Sequence, residues 1–154
     1  MPEPVYIHAI RPTLHQEGLE FQDFVCLQLA RYHVVLQNLG SKKYQYERGE
    51  NLQGFEIKLD TRCLEMGRLS IEVAEKTNRD AEFWTPSGIF RNDNSWLYIQ
   101  GNYSIVYVFA KNWLRRWHDA KRPEIFESHG TVRKFYLPLS IADTCATRVL
   151  RFTD

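Results

Sequence analysis

The segment that decides the fold runs from residue 50 to residue 60 and reads Glu-Asn-Leu-Gln-Gly-Phe-Glu-Ile-Lys-Leu-Asp. Side chains of a β-strand alternate between two faces, so a strand here directs Glu56, Lys58 and Asp60 to one face. The opposite face is apolar and can be buried; it carries Phe55, Ile57 and Leu59. Charged groups held side by side on a strand are costly neighbours in a core, which favours a functional site. Glu50, just before a Gly-containing turn, supplies a further carboxylate.

The sequence around this strand predicts a helix before it and a strand on either side of it. Apolar residues recur at three- and four-residue steps over residues 14–39, with Thr13 as a plausible N-cap and Gly40 as a plausible stop. Alternating patterns over residues 43–48 and 69–74 predict two more strands. Because their connections are short, these three strands are expected to form an antiparallel meander.

The second half of the chain predicts further strands and helices, which complete an α/β fold. Residues 76–94 are polar and contain Pro and Gly, as is typical of a loop. We then expect strands over 96–99 and 103–109, a helix over 110–121, a strand over 131–137 and a short final helix capped by Ser140. The predicted fold is a mixed β-sheet flanked by helices, in one domain over residues 1–154.

Composition excludes several classes of protein. With 44% hydrophobic and 25% charged residues, the chain is neither disordered nor fibrous. Its net charge of +1 means that nucleic-acid binding would have to come from a local patch. Three widely spaced cysteines without a C-x-x-C pair argue against a zinc knuckle or a disulfide framework. Neither a signal peptide nor an apolar stretch of membrane-spanning length is recognisable, so we expect a cytoplasmic protein without a membrane partner.

A helix followed by a meander that carries the pattern of Glu50, Glu56 and Lys58 resembles the PD-(D/E)xK nuclease superfamily, which has the restriction-endonuclease-like fold. The resemblance implies a DNA endonuclease that depends on Mg²⁺ or Mn²⁺. It implies that Glu50 and Glu56 bind the metal and that Lys58 positions the attacking water. It also implies a glutamate on the first helix, for which Glu20 is the candidate and Glu17 its rival.

The chemistry of these residue types suits such a site. Mg²⁺ prefers oxygen ligands and keeps several waters, so two carboxylates and one backbone carbonyl suffice. The carbonyl of Ile57, between Glu56 and Lys58, is the natural third ligand. A lysine flanked by carboxylates tends to stay protonated, which favours positioning and electrostatic work over the role of a free base.

Two further groups of charged residues leave alternatives open. Asp60, Glu72 and Lys76 form a second acid–acid–lysine set, in which Glu72 either assists the metal site or belongs to a charged outer face that prevents aggregation. The predicted helix over 110–121 is also rich in basic residues and tryptophan. It either follows a phosphate backbone or is an ordinary amphipathic helix; the residues concerned are Lys111, Arg115, Arg116, Lys121, Arg122, Trp113 and Trp117.

The alternative function is a non-catalytic α/β module that binds a protein or, as a degenerate nuclease fold, binds nucleic acid without cutting it. In the protein-binding case exposed tryptophans would be the anchors; the candidates are Trp84, Trp96, Trp113 and Trp117. The nuclease hypothesis requires Glu50, Glu56 and Lys58 to converge at a concave surface, whereas the binding hypothesis leaves them splayed and solvated. Nucleases of this size often cut both strands as a homodimer, which is a further expectation.

Overall fold

The computed structural model describes residues 14–39 and 41–152, which contain five α-helices and eight β-strands. The helices are α1 (Leu14–Ala30), α2 (Lys42–Arg48), α3 (Cys63–Met66), α4 (Lys111–Lys121) and α5 (Leu139–Cys145), with a 3₁₀ turn at Gly88–Phe90. The strands are β1 (Phe55–Leu59), β2 (Arg68–Glu75), β3 (Thr85–Pro86), β4 (Leu97–Gly101), β5 (Ile105–Ala110), β6 (Phe126–Ser128), β7 (Val132–Pro138) and β8 (Arg148–Arg151). None of the helices within these residues is long and apolar enough to cross a membrane.

The strands form two four-stranded sheets. Sheet 1 has the order β1-β4-β5-β8; β1 runs parallel to β4 and the other pairs are antiparallel. Sheet 2 has the order β3-β2-β7-β6 and is antiparallel throughout. The predicted mixed α/β class is therefore confirmed, with two sheets in place of the one expected.

The predicted antiparallel meander is wrong. Residues 43–48 belong to helix α2, which begins where the Ser41 hydroxyl accepts a hydrogen bond from the Tyr44 N–H at 3.2 Å. β1 pairs in parallel with β4, and β2 lies in the other sheet. Alternation in a short segment fits an exposed helix as well as a strand, and a strand's own sequence does not specify its partner.

Helix α1 ends at Ala30, nine residues before the predicted end at Leu39. The chain beyond it forms backbone hydrogen bonds with the turn that precedes β1, from Leu39 N–H to Glu50 O and from Leu52 N–H to Gln37 O, both at 3.0 Å. These bonds hold residues 34–39 extended where the apolar spacing predicted more helix. The predicted caps Thr13 and Gly40 lie outside the described residues.

Most of the remaining predicted elements are confirmed to within a few residues: β2, β4, β5, α4, β7 and α5. Three short strands were not predicted: β3, β6 and β8. Ser140 lies inside α5, which Pro138 precedes as the N-cap residue. Short edge strands carry too few residues for a periodic pattern to show.

Apolar layers on both faces of sheet 1 explain where the polar side of β1 emerges. Helix α1 covers one face, where Phe21 and Val25 pack against Ile57 of β1. Sheet 2 and α4 cover the other face in a core built from Leu69, Ile71, Tyr98, Tyr107, Phe109, Leu114, Phe135 and Leu137. Because β1 is an edge strand of sheet 1, its polar face lies at the side of that sheet, where Glu72 of sheet 2 lines the same cavity as Lys58.

Candidate active site

Side chains from the preceding turn cover part of the outer edge of β1. The Asn51 side chain pairs with the Phe55 backbone, accepting its N–H at 2.9 Å and donating to its carbonyl at 2.6 Å. Glu50 Oε2 accepts the Ile57 N–H at 2.8 Å. The N–H and C=O of one strand residue point to the same side. The Ile57 carbonyl therefore faces the edge at which Glu50 is held.

Glu56 is held between two lysines on the polar side of β1. Its side chain is 2% exposed, with Oε1 3.4 Å from Lys58 Nζ and Oε2 3.4 Å from Lys111 Nζ. Lys111 is equally buried and lies 3.2 Å from Asp93 Oδ1. No residue in the described ranges donates a hydrogen bond to Glu56 Oε1. The Oε1 atom of Glu56, beside Lys58, can therefore still accept a hydrogen bond.

Glu72 reaches the same place from sheet 2. The hydroxyl of Ser87 donates to Glu72 Oε1 at 2.6 Å. The next residue, Gly88, has a φ of +54°, and a Cβ there would lie 2.2 Å from the Glu72 carbonyl oxygen. Only glycine permits this close approach. The Ser87-Gly88 turn therefore packs on β2 and fixes the Glu72 side chain.

Most of these groups share one cavity of about 510 Å³. Glu50, Lys58 and Glu72 line it together with Arg91, Lys134 and Glu17, whereas Glu56 does not line it. Carboxylates and cations thus face the same cavity from α1, β1, β2 and β7. Such a concave site with convergent polar groups is the usual form of a binding or catalytic cleft.

The carboxylates change the protonation of the groups around them. Burial raises the pKa of Glu50 to about 7; Glu56 adds to the rise, whereas Lys58 and the Ile57 amide oppose it. Burial by itself lowers the pKa of Lys58, but the charges of Glu56, Glu72 and Glu50 outweigh it and raise that pKa. Lys58 is therefore protonated at neutral pH.

Tyr98 is buried beside this cluster. Its hydroxyl is fully buried and has no hydrogen-bond partner in the described part of the chain. Burial raises the pKa of Tyr98 well above its ordinary value, and the charges of Glu56, Glu72 and Glu50 raise it further. The phenol is thus neutral, and it is close enough to sense all three carboxylates.

The structure brings together four of the five predicted catalytic residues: Glu50, Glu56, Lys58 and Glu72. The fifth, Glu20, lies exposed on α1, where Gln16 donates to it at 3.4 Å, and it does not line the cavity. The rival candidate Glu17, one turn earlier, lines it instead. Helical spacing places the two residues on neighbouring but different parts of the α1 surface.

The second predicted acid–acid–lysine set does not assemble. Asp60 Oδ2 accepts the Ser70 N–H and the Gln100 side-chain amide, both at 2.9 Å, so it joins the two sheets. Lys76 donates to the Ala81 carbonyl at 3.2 Å and lies over the ring of Trp84. Only Glu72 of that set faces the cavity.

Sequence reasoning missed the buried partners of Glu56. The sequence predicts Lys111 to belong to the basic surface of its helix, yet the residue is 1% exposed and also contacts Ser95 and the Arg91 carbonyl. Arg115 also turns inward and donates to the Ile89 carbonyl. The signal that could have revealed Lys111 is its position directly after the apolar run of β5, where a side chain still faces the core.

Three of the four tryptophans are half-buried in the fold. Trp113 and Trp117 pack against the core, and Trp84 is half-buried beneath Arg133. Trp96 is 59% exposed. One tryptophan of the four is thus presented to solvent as the protein-binding alternative requires.

The donor set suits a hard divalent cation. Within the described residues no group of three or more His, Cys, Asp or Glu side chains is arranged to hold a metal ion. Mg²⁺, however, is usually held by one or two carboxylates together with waters and substrate phosphates. Glu50, Glu56 and the Ile57 carbonyl offer oxygen donors only. The Glu56 Oε1 atom, which accepts no hydrogen bond within the described residues, could take a further positive charge.

Comparisons with protein-family models, with curated proteins and with solved structures find no match to this chain.

Proposed function

We propose that this protein is a Mg²⁺- or Mn²⁺-dependent DNA endonuclease of the PD-(D/E)xK type that hydrolyses phosphodiester bonds. The observation that carries the proposal is the convergence of three carboxylates, Glu50, Glu56 and Glu72, on Lys58, which lines one cavity together with Glu50 and Glu72. Two strands of different sheets and a turn bring these groups together. A chance exposed Glu-x-Lys pair would not recruit carboxylates from two other segments.

Lys58 would act as a fixed cation. Its side chain is about one-third exposed, so the ammonium reaches the cavity while Glu56 Oε1 holds it from behind at 3.4 Å. The carboxylates keep it protonated, and it can donate to an attacking water or to a phosphate oxygen that gains charge. It is not suited to accept a proton. This favours positioning over general-base catalysis.

Glu50, Glu56 and the Ile57 carbonyl would hold the metal. When bound, Mg²⁺ would polarise the phosphate and lower the pKa of a water. Lys111 would act as a positioning residue: it holds Glu56 Oε2 and so leaves Oε1 on the side of Lys58. Glu72, fixed by Ser87, would orient water on the opposite wall of the cavity.

We propose that the two sheets are a variant of the restriction-endonuclease-like fold in which the strand that carries Glu56 and Lys58 is a sheet edge. We further propose that two copies act together where both strands of DNA are cut, and that the protein works in the cytoplasm.

The test is cleavage of supercoiled plasmid, single-stranded DNA and branched DNA in Mg²⁺, in Mn²⁺ and in EDTA. We expect Lys58→Gln and Glu56→Gln each to lower the rate by roughly 10²- to 10³-fold, the usual effect of losing one electrostatic group in an active site. The matched control is Glu75→Gln, on the same strand as Glu72 but outside the cavity. Its activity should equal that of the wild type.

Two outcomes would contradict the proposal. Cleavage that survives both Glu56→Gln and Lys58→Gln would reject the site. Wild-type protein that binds DNA but cuts none of the three substrates in either metal would reject catalysis and favour the non-catalytic alternative. Circular dichroism melts of each variant would show that a loss of cleavage is not a loss of folding.

A further inference from the structure

The cavity that holds the carboxylates is one half of a longer cleft. A second cavity of about 400 Å³ adjoins it, and the two share Leu59, Thr61 and Lys134 in their walls. We call this second cavity the distal half; its floor is the outer face of sheet 2, which carries Arg68, Ser70, Tyr136, Phe126 and Ser128. A ligand that enters at Lys58 can therefore continue along sheet 2.

Two cations of the cleft form no ion pair within the described ranges, although Glu72 lies across from Lys134 in the sheet and Asp60 lines the distal half. Arg91 is paired with Asp93 at 3.6 Å, and Arg62 with Glu65 at 3.1 Å. By contrast, the side chains of Arg68 and Lys134 have neither an ion-pair nor a hydrogen-bond partner in the described ranges, and the Nε of Arg68 is buried. A half-buried cation without an acceptor favours binding of an anion, for which arginine offers a fork of donors.

An aromatic stack lies beside these cations. The Arg68 guanidinium carbon is 3.5 Å from the centre of the Tyr136 ring, and the Phe126 ring stacks on Tyr136 at 4.1 Å with an interplanar angle of 23°. The stack crosses three adjacent strands, β2, β7 and β6. Phe126 is half-buried and borders the cavity, so it offers an aromatic surface at the end of a preformed stack.

The two cations lie close together along the cleft. The Arg68 guanidinium lies over the Tyr136 ring, and Tyr136 is two residues from Lys134 on the same face of β7. Two residues of a strand span about 7 Å at ~3.3 Å each. That length corresponds to about two steps of a stacked nucleic-acid strand at ~3.4 Å per step. Cavities of this size accept nucleotide-sized groups, and a cationic groove with stacking aromatics is the usual form of a single-strand site.

We propose that the distal half binds a single-stranded segment of nucleic acid next to the phosphate that is cut, with Arg68 and Lys134 on backbone phosphates and Phe126 against a base. The inference rests on the proposed nuclease function and adds its substrate class: DNA with unpaired nucleotides, such as single strands or flaps. A continuous duplex would keep its bases stacked on each other and out of reach of Phe126.

The test measures binding without metal, so that it does not depend on catalysis. Fluorescence anisotropy in EDTA would compare a labelled single-stranded oligonucleotide with the blunt duplex of the same sequence. We expect the single strand to bind more tightly. Arg68→Gln and Lys134→Gln should each weaken that binding about tenfold and reduce the salt dependence, log Kd against log salt, by about 0.7.

A variant of Phe126 and a control variant distinguish the contribution of stacking to binding from the contribution of charge. Phe126→Leu should weaken binding roughly tenfold and leave the salt dependence unchanged, because stacking releases no counterions. Arg151→Gln is the matched control, since Arg151 is exposed on β8 and does not line the cleft. If Arg151→Gln weakens binding as much as Arg68→Gln does, or if the duplex binds as tightly as the single strand, the inference is wrong.

The same variants distinguish failure of the inference from failure of the function. Wild-type cleavage combined with unchanged single-strand binding in Arg68→Gln and Lys134→Gln would overturn the distal site alone. The expected binding pattern in a protein that cuts no DNA would support the distal site and overturn the nuclease. Melting curves identify any variant that fails to fold, and the two charge variants are independent tests of the same site.

Discussion

Replacing Glu50 by glutamine should change how the stability of the metal-free protein depends on pH. Glu50 is mostly withdrawn from water at the edge of β1, and burial is the main reason that its pKa rises from 4.5 to about 7. Glutamine keeps an oxygen that can accept the Ile57 N–H but carries no charge. The substitution therefore removes the ionisation and preserves the hydrogen bond.

The sign and size of the effect follow from the pKa of Glu50. A carboxyl group with a higher pKa in the folded chain than in the unfolded chain binds its proton more tightly when the protein is folded. Stability is therefore greatest below about pH 4.5 as far as this group is concerned, and it falls as the pH rises to about 7. One pKa unit corresponds to about 1.4 kcal/mol, so the full loss is about 3 kcal/mol.

The assay is urea unfolding in EDTA at pH values between about 5 and 8. The wild type should lose up to about 3 kcal/mol of unfolding free energy across this range beyond any loss in Glu50→Gln. The control is Glu47→Gln, an exposed glutamate on α2, which should follow the wild-type profile. Identical pH profiles for the wild type and Glu50→Gln would refute the argument that an ionised Glu50 is costly.

Two further substitutions test the packing that holds the site. Lys111→Met should destabilise the protein by about 3–5 kcal/mol in urea unfolding, because it leaves Glu56 buried without its second counter-charge. A loss below ~1 kcal/mol would show that Lys58 alone is enough to compensate the charge of Glu56. Gly88→Ala should lower the melting temperature clearly more than Gly67→Ala does. Both glycines have positive φ, but a Cβ at residue 88 would collide with the Glu72 backbone, whereas a Cβ at residue 67 would meet open space. Equal changes in melting temperature would show that the collision at residue 88 costs no stability.

The alternation of polar and apolar residues was enough to predict which face of β1 carries the candidate site. Glu56 and Lys58 share one side, and Ile57 packs against α1 on the other, as a period of two requires. β4, β5 and α4 were predicted for a similar reason, since each carries a long apolar or amphipathic pattern bounded by turn residues. Properties that belong to one element are readable from that element alone.

Properties that depend on two distant segments were not readable. Phe55 pairs with Leu97 across more than forty residues of chain, and nothing in either strand specifies a parallel partner. The buried position of Lys111 depends on Glu56 and Asp93, which supply the opposite charges, and a lone lysine in a sequence is ordinarily a surface residue. Only the assembled fold shows which charges meet.

The corrected strand pairing bears directly on the metal prediction. In the expected meander, β1 would have had a neighbour on each side, and a second partner would have consumed the N–H and C=O of Ile57. In the structure β1 is an edge strand, so the Ile57 N–H is free to bind Glu50, and its carbonyl faces the same open side. Glu72 then approaches from the other sheet through packing of side chains and needs no hydrogen bond to β1. The Ile57 carbonyl, a proposed metal ligand, therefore faces the side on which Glu50 lies only because the meander does not form.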